Sequence, residues 1–171
     1  MRIESNGVFY WKTLAENDTR GNFTKIISDS QVEVLPEFNV LDFFSSISRA
    51  NVIRGMHLQI GEFASNRIIY VQTGKIIDVL LDLNGNSKNP IILSEILGPN
   101  EEFDSIYVPA GIAHGFKAIQ QSSVTYLADK KYSTAHDKGI KFDSFGFNWN
   151  CEKPIISIRD INLPKLVDFR I

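Results

Sequence analysis

An all-β jelly roll with few short helices is what these 171 residues predict, and three observations carry it. Apolar, β-branched and aromatic residues come in short runs broken by Gly, Pro and Asn, the rhythm of strands and turns. Aromatic residues make up 11% of the chain, a supply suited to a β-rich core. Helical signals are few, and no repeat, low-complexity tract or linker divides the sequence, so one domain over residues 1–171 is expected.

Taken in order, the first forty residues hold strand-like runs, with possible strands at 31–34 and 38–44 and a polar loop at 45–51. Residues 67–72 (RIIYVQ), the turn Thr73–Gly74 and residues 75–83 (KIIDVLLDL) read as a hairpin. Asn84, Gly85 and Asn86 stop it, and 91–97 is the next strand. A Gly98–Pro99–Asn100 turn precedes a strand at 106–108, and Pro109–Ala110–Gly111 forms a corner before strands at 115–119 and 124–128. This many short strands at this spacing argues for a sandwich or barrel. Ser157 followed by Asp160 resembles a capping box that opens a short helix, and Pro164 would end it.

Composition narrows the function classes. A net charge of −2 leaves no basic excess for nucleic acid, so no nucleic-acid partner is expected. Cys151 stands alone, which excludes an intrachain disulfide and a Cys-based zinc site. The opening residues MRIESNGVFYWK have no apolar run like that of a signal peptide, and no run approaches the roughly 20 apolar residues of a membrane helix. A cytoplasmic protein with no membrane partner is the expectation.

Three histidines can each be weighed. His57 sits in Arg54-Gly55-Met56-His57-Leu58-Gln59, between apolar neighbours and near a glycine, which leaves structural and functional roles both open. His114 follows Pro109 and Gly111 at a Pro–x–Gly–x–x–His spacing, the pattern of a second cupin motif, although a His at a strand start can simply bond its turn. His136 reads as an exposed loop residue without a role. Metal-binding cupins offer His–x–His, a Glu and a later His. Here Gln59 stands where the second His would be, and Gln is a poor substitute, so no metal is expected. Arg20, Arg54 and Arg67 each flank a turn or apolar segment. Each could be a solvated charge, or together they could grip a pyrophosphate by bidentate hydrogen bonds.

Together these residues resemble the dTDP-4-dehydrorhamnose 3,5-epimerase family of cupin jelly rolls. The similar stretches are RGMHLQ (54–59), KIIDVLLDL (75–83), VPAGIAHGF (108–116), TYLADKKYSTAHDKGIKFD (125–143) and PIISIRD (154–160), in the family's order. The resemblance implies that His57 is the catalytic base, Asp160 its supporting carboxylate and Tyr126 the general acid. It implies substrate binding by Arg20, Arg54, Gln59, Arg67, His114 and Tyr132. Arg67 replaces a family Lys near the sugar carbonyl. Leu41-Asp42-Phe43-Phe44 and Lys131-Tyr132 also depart from the family pattern around base and sugar.

The implied activity is inversion at C3 and/or C5 of a 4-keto-6-deoxyhexose carried on a nucleoside diphosphate, for deoxysugar and polysaccharide biosynthesis. Both protons are α to the carbonyl, so their removal gives an enolate and no cofactor is needed. A 3,4-ketoisomerase, a metal-dependent cupin and a non-catalytic sugar-binding cupin are the rivals. A homodimer is expected, with N-terminal strands adding to the partner's sheet.

Overall fold

The computed structural model of the chain describes residues 1–84 and 90–170. Its strands in order are β1 (Arg2–Ile3), β2 (Phe9–Trp11), β3 (Leu14–Asp18), β4 (Gly21–Lys25), β5 (Asp42–Ser48), β6 (Ile53–Gln59) and β7 (Arg67–Thr73). They continue with β8 (Ile76–Asp82), β9 (Ile91–Leu97), β10 (Ser105–Val108), β11 (Ile112–Ala118), β12 (Ser122–Ala128) and β13 (Asp137–Gly139). Two one-turn helices, α1 (Asp29–Val32) and α2 (Ile158–Ile161), complete the regular structure with two short 3₁₀ turns. The expected cupin jelly roll is the fold. Six strands in the order β1-β2-β10-β7-β12-β5 face five in the order β13-β6-β11-β8-β9.

β8 explains why its sequence is a continuous apolar run rather than an alternating one. Both of its faces are covered. Ile76 and Leu80 join Ile69, Val71, Ile106, Phe116 and Val124 in the core between the sheets. Val79 and Leu81 point the other way, into a second core closed by Ile53, Met56, Trp149 and Phe169. Phe9, Trp11, Ile68 and Tyr107 form a third cluster, covered by Ile27, Leu35 and Phe38.

Three expectations are corrected. β7 and β8 lie in different sheets, so Thr73–Gly74 is a crossing between sheets and not a hairpin turn. Gly74 takes φ +86° there, and a Cβ on it would collide with the Gln121 backbone. β8 pairs instead with β11 on one side and with β9 on the other, the latter in register from Ile76–Leu97 to Asp82–Ile91. The stop at Asn84, Gly85 and Asn86 lies largely outside the described residues. Residues 45–48 extend a strand where a polar loop was expected, because β5 borders the sheet and each serine finds a polar setting: Ser45 in solvent, Ser46 at the cavity and buried Ser48 accepting from Arg54. Residues 31–32 end a helix rather than start a strand; the Gln31 side chain accepts from the Ser28 N–H at 2.9 Å and closes a capping box. The capping reading at Ser157 holds, with its hydroxyl accepting from the Asp160 N–H at 3.0 Å.

Candidate active site

One cavity of about 650 Å³ opens between the two sheets, bounded by β5, β6, β7, β11, β12 and the α2 turn. Its first wall is made by β6. Arg54 and His57 are an odd number of residues apart, so a regular strand would turn them to opposite faces. Between the pairs His57–His114 and Arg54–Phe116, however, β6 takes three steps where β11 takes two. This bulge brings both side chains to the cavity. Glycine permits it: Gly55 has φ +119°, and a Cβ there would lie 2.5 Å from the Gly115 Cα.

His57 is partly exposed, and its Nε2 lies 2.7 Å from Oδ1 of buried Asp160. The other Asp160 oxygen accepts from the Gly55 N–H at 3.2 Å. Burial pushes the Asp160 carboxyl up. The hydrogen bond and charge of His57, the Gly55 N–H and Arg159 outweigh that and hold it below its ordinary value. An ionised carboxylate only accepts, so Nε2 carries a proton, and in the neutral imidazole the lone pair is on Nδ1. Nδ1 has no hydrogen-bond partner among the described residues.

Tyr126 comes from the opposite sheet, on β12. Its ring stacks on Phe44 at 4.7 Å between centroids and meets His114 edge-on at 6.3 Å. Burial drives the phenol well above its ordinary range; Asp78 adds to this, while Arg54 and Arg67 oppose it. The hydroxyl therefore stays protonated at neutral pH, ready to donate.

A second His–Asp pair lies on the floor. His114 Nε2 is 2.6 Å from Asp78 Oδ1, both side chains buried, with Asp78 Oδ2 unpartnered. Arg67 spans from β7 to the other sheet, donating to the carbonyls of His57 at 3.3 Å and Ile112 at 2.7 Å. Its Nε is buried with no partner, and burial brings the guanidinium down to about 10, still cationic at neutral pH. Arg54 is exposed, steadied by donation to Ser48 Oγ at 2.9 Å. Gln59 accepts from the Ser133 N–H at 3.0 Å, and the Tyr132 hydroxyl donates to Asp137 at 2.8 Å.

The cavity thus gathers every residue singled out in the sequence except Arg20. Arg20 sits in the exposed β3–β4 turn, paired with Asp18, and does not reach the cavity within this chain. His136 is half-buried, not a free loop residue: its ring lies 4.5 Å from Phe63 and its Nδ1 2.9 Å from Ser133 Oγ. Sequence reasoning passed over Asp78, Phe44, Asp137 and Arg159. Asp78 had a signal, a charge set between apolar residues in the run KIIDVLLDL. Among the described residues no three His, Cys, Asp or Glu side chains gather as a metal site would. No described helix is long and apolar enough to cross a membrane.

The cavity thus sets a carboxylate-held imidazole from one sheet across from a protonated phenol of the other, groups able to accept and to donate a proton. Comparison with known proteins gives the family. The model of dTDP-4-dehydrorhamnose 3,5-epimerase matches residues 2–168, and the chain belongs to that family, an epimerase of the isomerase class. A dTDP-4-dehydrorhamnose 3,5-epimerase of Sinorhizobium fredii is 28% identical over 159 residues, covering 88% of this chain and 80% of the relative. The crystal structure of the Bacillus anthracis enzyme with TDP and PPi bound is 31% identical with TM-score 0.81, covering 90% of this chain and 91% of that one. A Mycobacterium tuberculosis epimerase superposes with TM-score 0.87 at 25% identity, covering 98% and 88%.

Proposed function

We propose that this epimerase inverts C3, C5 or both in a 4-keto-6-deoxyhexose linked to a nucleoside diphosphate, by proton transfer through an enolate. The observation that carries the reading is the arrival of His57 and Tyr126 in one cavity from opposite sheets. A base and an acid on different walls suit removal of a proton from one face and its return to the other, which is inversion. The same arrangement favours epimerisation over a 3,4-ketoisomerase, which moves the proton between carbon and oxygen.

In this scheme His57 Nδ1 takes the α proton, and Asp160 stabilises the imidazolium that forms. The electron pair moves to O4, where Arg67 is the chosen partner because its buried Nε–H has no other acceptor. Tyr126 then gives its proton to the carbon and inverts the centre. Arg54, exposed and free of any carboxylate among the described residues, binds the diphosphate. The thymidine diphosphate named for the Bacillus anthracis structure makes a dTDP sugar the first substrate to test. The reading also treats residues 1–171 as one domain and the enzyme as cytoplasmic.

The β3–β4 hairpin forms a sheet of its own, with Leu14 and Phe23 exposed, which supports a homodimer in which it is covered by a second copy. Equilibrium sedimentation at micromolar concentration is expected to give the dimer mass; a monomer would refute this. For the reaction, the protein is incubated in D₂O with a 4-keto-6-deoxyglucose nucleotide and followed by NMR. Deuterium should enter at C3 or C5 with inversion and the ketone should stay at C4. Migration of the ketone would make it an isomerase, and substrate binding without deuterium uptake would make it a sugar-binding protein.

A further inference from the structure

The Asp160 carboxylate is carried by α2, a helix of only four residues. One turn fixes few backbone hydrogen bonds and is marginal alone. Its Ser157 cap and the hydrogen bond from Asn162 Nδ2 to the Ile158 carbonyl are internal to the turn. Among the described residues, its side chains make hydrogen bonds or ion pairs outside the turn at two places. Asp160 meets β6 through His57 and the Gly55 N–H, and Arg159 meets Asp137 with Nη2 2.6 Å from Oδ2.

Asp137 is well placed for such a task. It opens β13, whose register sets Asp137 opposite Gln59 and Gly139 opposite His57, so it is fixed to the strand that bears the base. Its side chain is only 10% exposed although it lines the cavity. The same Oδ2 accepts from the Tyr132 hydroxyl, so two donors from different segments hold the carboxylate still. Arg159 is also the neighbouring cation that helps keep Asp160 ionised.

We propose that Asp137 is a positioning residue for the His57–Asp160 pair: it pins Arg159, Arg159 pins α2, and α2 presents Asp160 to Nε2 of His57. Asp137 does not touch the reacting carbon and acts through the turn. This inference rests on the proposed roles of His57 and Asp160, and the titratable groups around the pair are Arg159 on α2, Asp137 on β13, Arg54 on β6, Arg67 on β7, Tyr126 on β12, and the His114–Asp78 pair on β11 and β8.

The test is Asp137→Asn, which keeps size and the acceptor but removes the charge that holds Arg159. The rate of deuterium wash-in at saturating substrate should fall by roughly tenfold, a fraction of the roughly 100-fold that an ångström of misplacement can cost. KM should change by less than about threefold, because ground-state binding is left in place. The imidazole proton shared by His57 and Asp160, followed by NMR in the free protein, should broaden or exchange faster. Asp137→Glu should restore both rate and signal. If Asp137→Asn is poorly folded by thermal melting, Arg159→Gln removes the other, half-exposed partner and should give the same pair of losses. Wild-type rate with an unchanged imidazole signal in either variant overturns the proposal, as does a rate loss with the signal intact. Failure of the wild-type protein to take up any deuterium would instead overturn the proton-transfer reading, while the NMR signal would still judge the positioning role.

Discussion

The molecule contains the same pair twice. His57–Asp160 and His114–Asp78 both join Nε2 to a carboxylate oxygen, at 2.7 and 2.6 Å, and the two histidines are direct cross-strand neighbours. What separates them is solvent and satisfaction. The His57 side chain is 29% exposed and both oxygens of Asp160 have partners; the His114 side chain is 5% exposed and one Asp78 oxygen has none. A base must offer its lone pair to a ligand, and a partner carboxylate must be held in place. The first pair meets both needs. The second is buried among core strands, where its loss should fall on stability before turnover.

The comparison breaks most visibly at the two imidazoles. His57→Asn is expected to lower both epimerisation and deuterium uptake by roughly 10²–10⁴-fold, the range of a positioned general base. Urea denaturation should show a smaller loss of stability than at the buried pair, since Asp160 keeps the Gly55 N–H. His114→Ala should do the reverse, removing the hydrogen-bond partner of a nearly solvent-free carboxylate and costing about 3–5 kcal/mol in the same titration. Equal stability losses in the two variants would erase the distinction drawn between the pairs.

Asp160→Asn sharpens it further, with an expected rate loss on the order of 10²-fold through misalignment of the base. It also gives a pH signature. The folded-state value of Asp160 lies below its ordinary 3.8, so its stabilisation is present above that pH and is lost as pH falls through the lower folded value. The melting-temperature gap between wild type and Asp160→Asn should therefore be full at neutral pH and shrink below about pH 4. A gap that stays constant into strong acid would contradict the depressed carboxylate. The smallest effect is expected at the mouth. Arg54→Ala should raise KM about tenfold with kcat nearly unchanged, as for a charge-assisted contact made equally in ground and transition states.

The strands that form the cavity floor were legible because their chemistry repeats locally. The run 75–83 is apolar on both faces, and the corner before His114 is written in Pro109 and Gly111. β5 was legible only at its start, where the expected strand at 38–44 overlaps it at 42–44: Phe44 and Ser46 face the cavity while Phe43 and Ile47 stay exposed, so the strand shows neither a clean alternation nor a buried run. The Thr73–Gly74 crossing was misread because a hairpin and a change of sheet use the same turn residues, and only the pairing partners distinguish them. The main site residues were named by their resemblance to a family. The pairings His114–Asp78 and Arg159–Asp137 were not readable, because their members lie 36 and 22 residues apart, distances that only the folded sheets close. Arg20 shows the converse: a motif match in sequence that the fold of one chain leaves outside the cavity.

The central claim is that removal and return of the proton are separate acts of His57 and Tyr126. Tyr126→Phe tests it most directly, because the ring and its stacking on Phe44 remain while the donor is lost. With a 4-keto-6-deoxyhexose nucleotide in D₂O, the account predicts that deuterium still enters at the α carbon with retained configuration, returned by His57 from the original face, and that little inverted sugar forms. Normal inversion by Tyr126→Phe, or loss of exchange together with inversion in a folded variant, would contradict it.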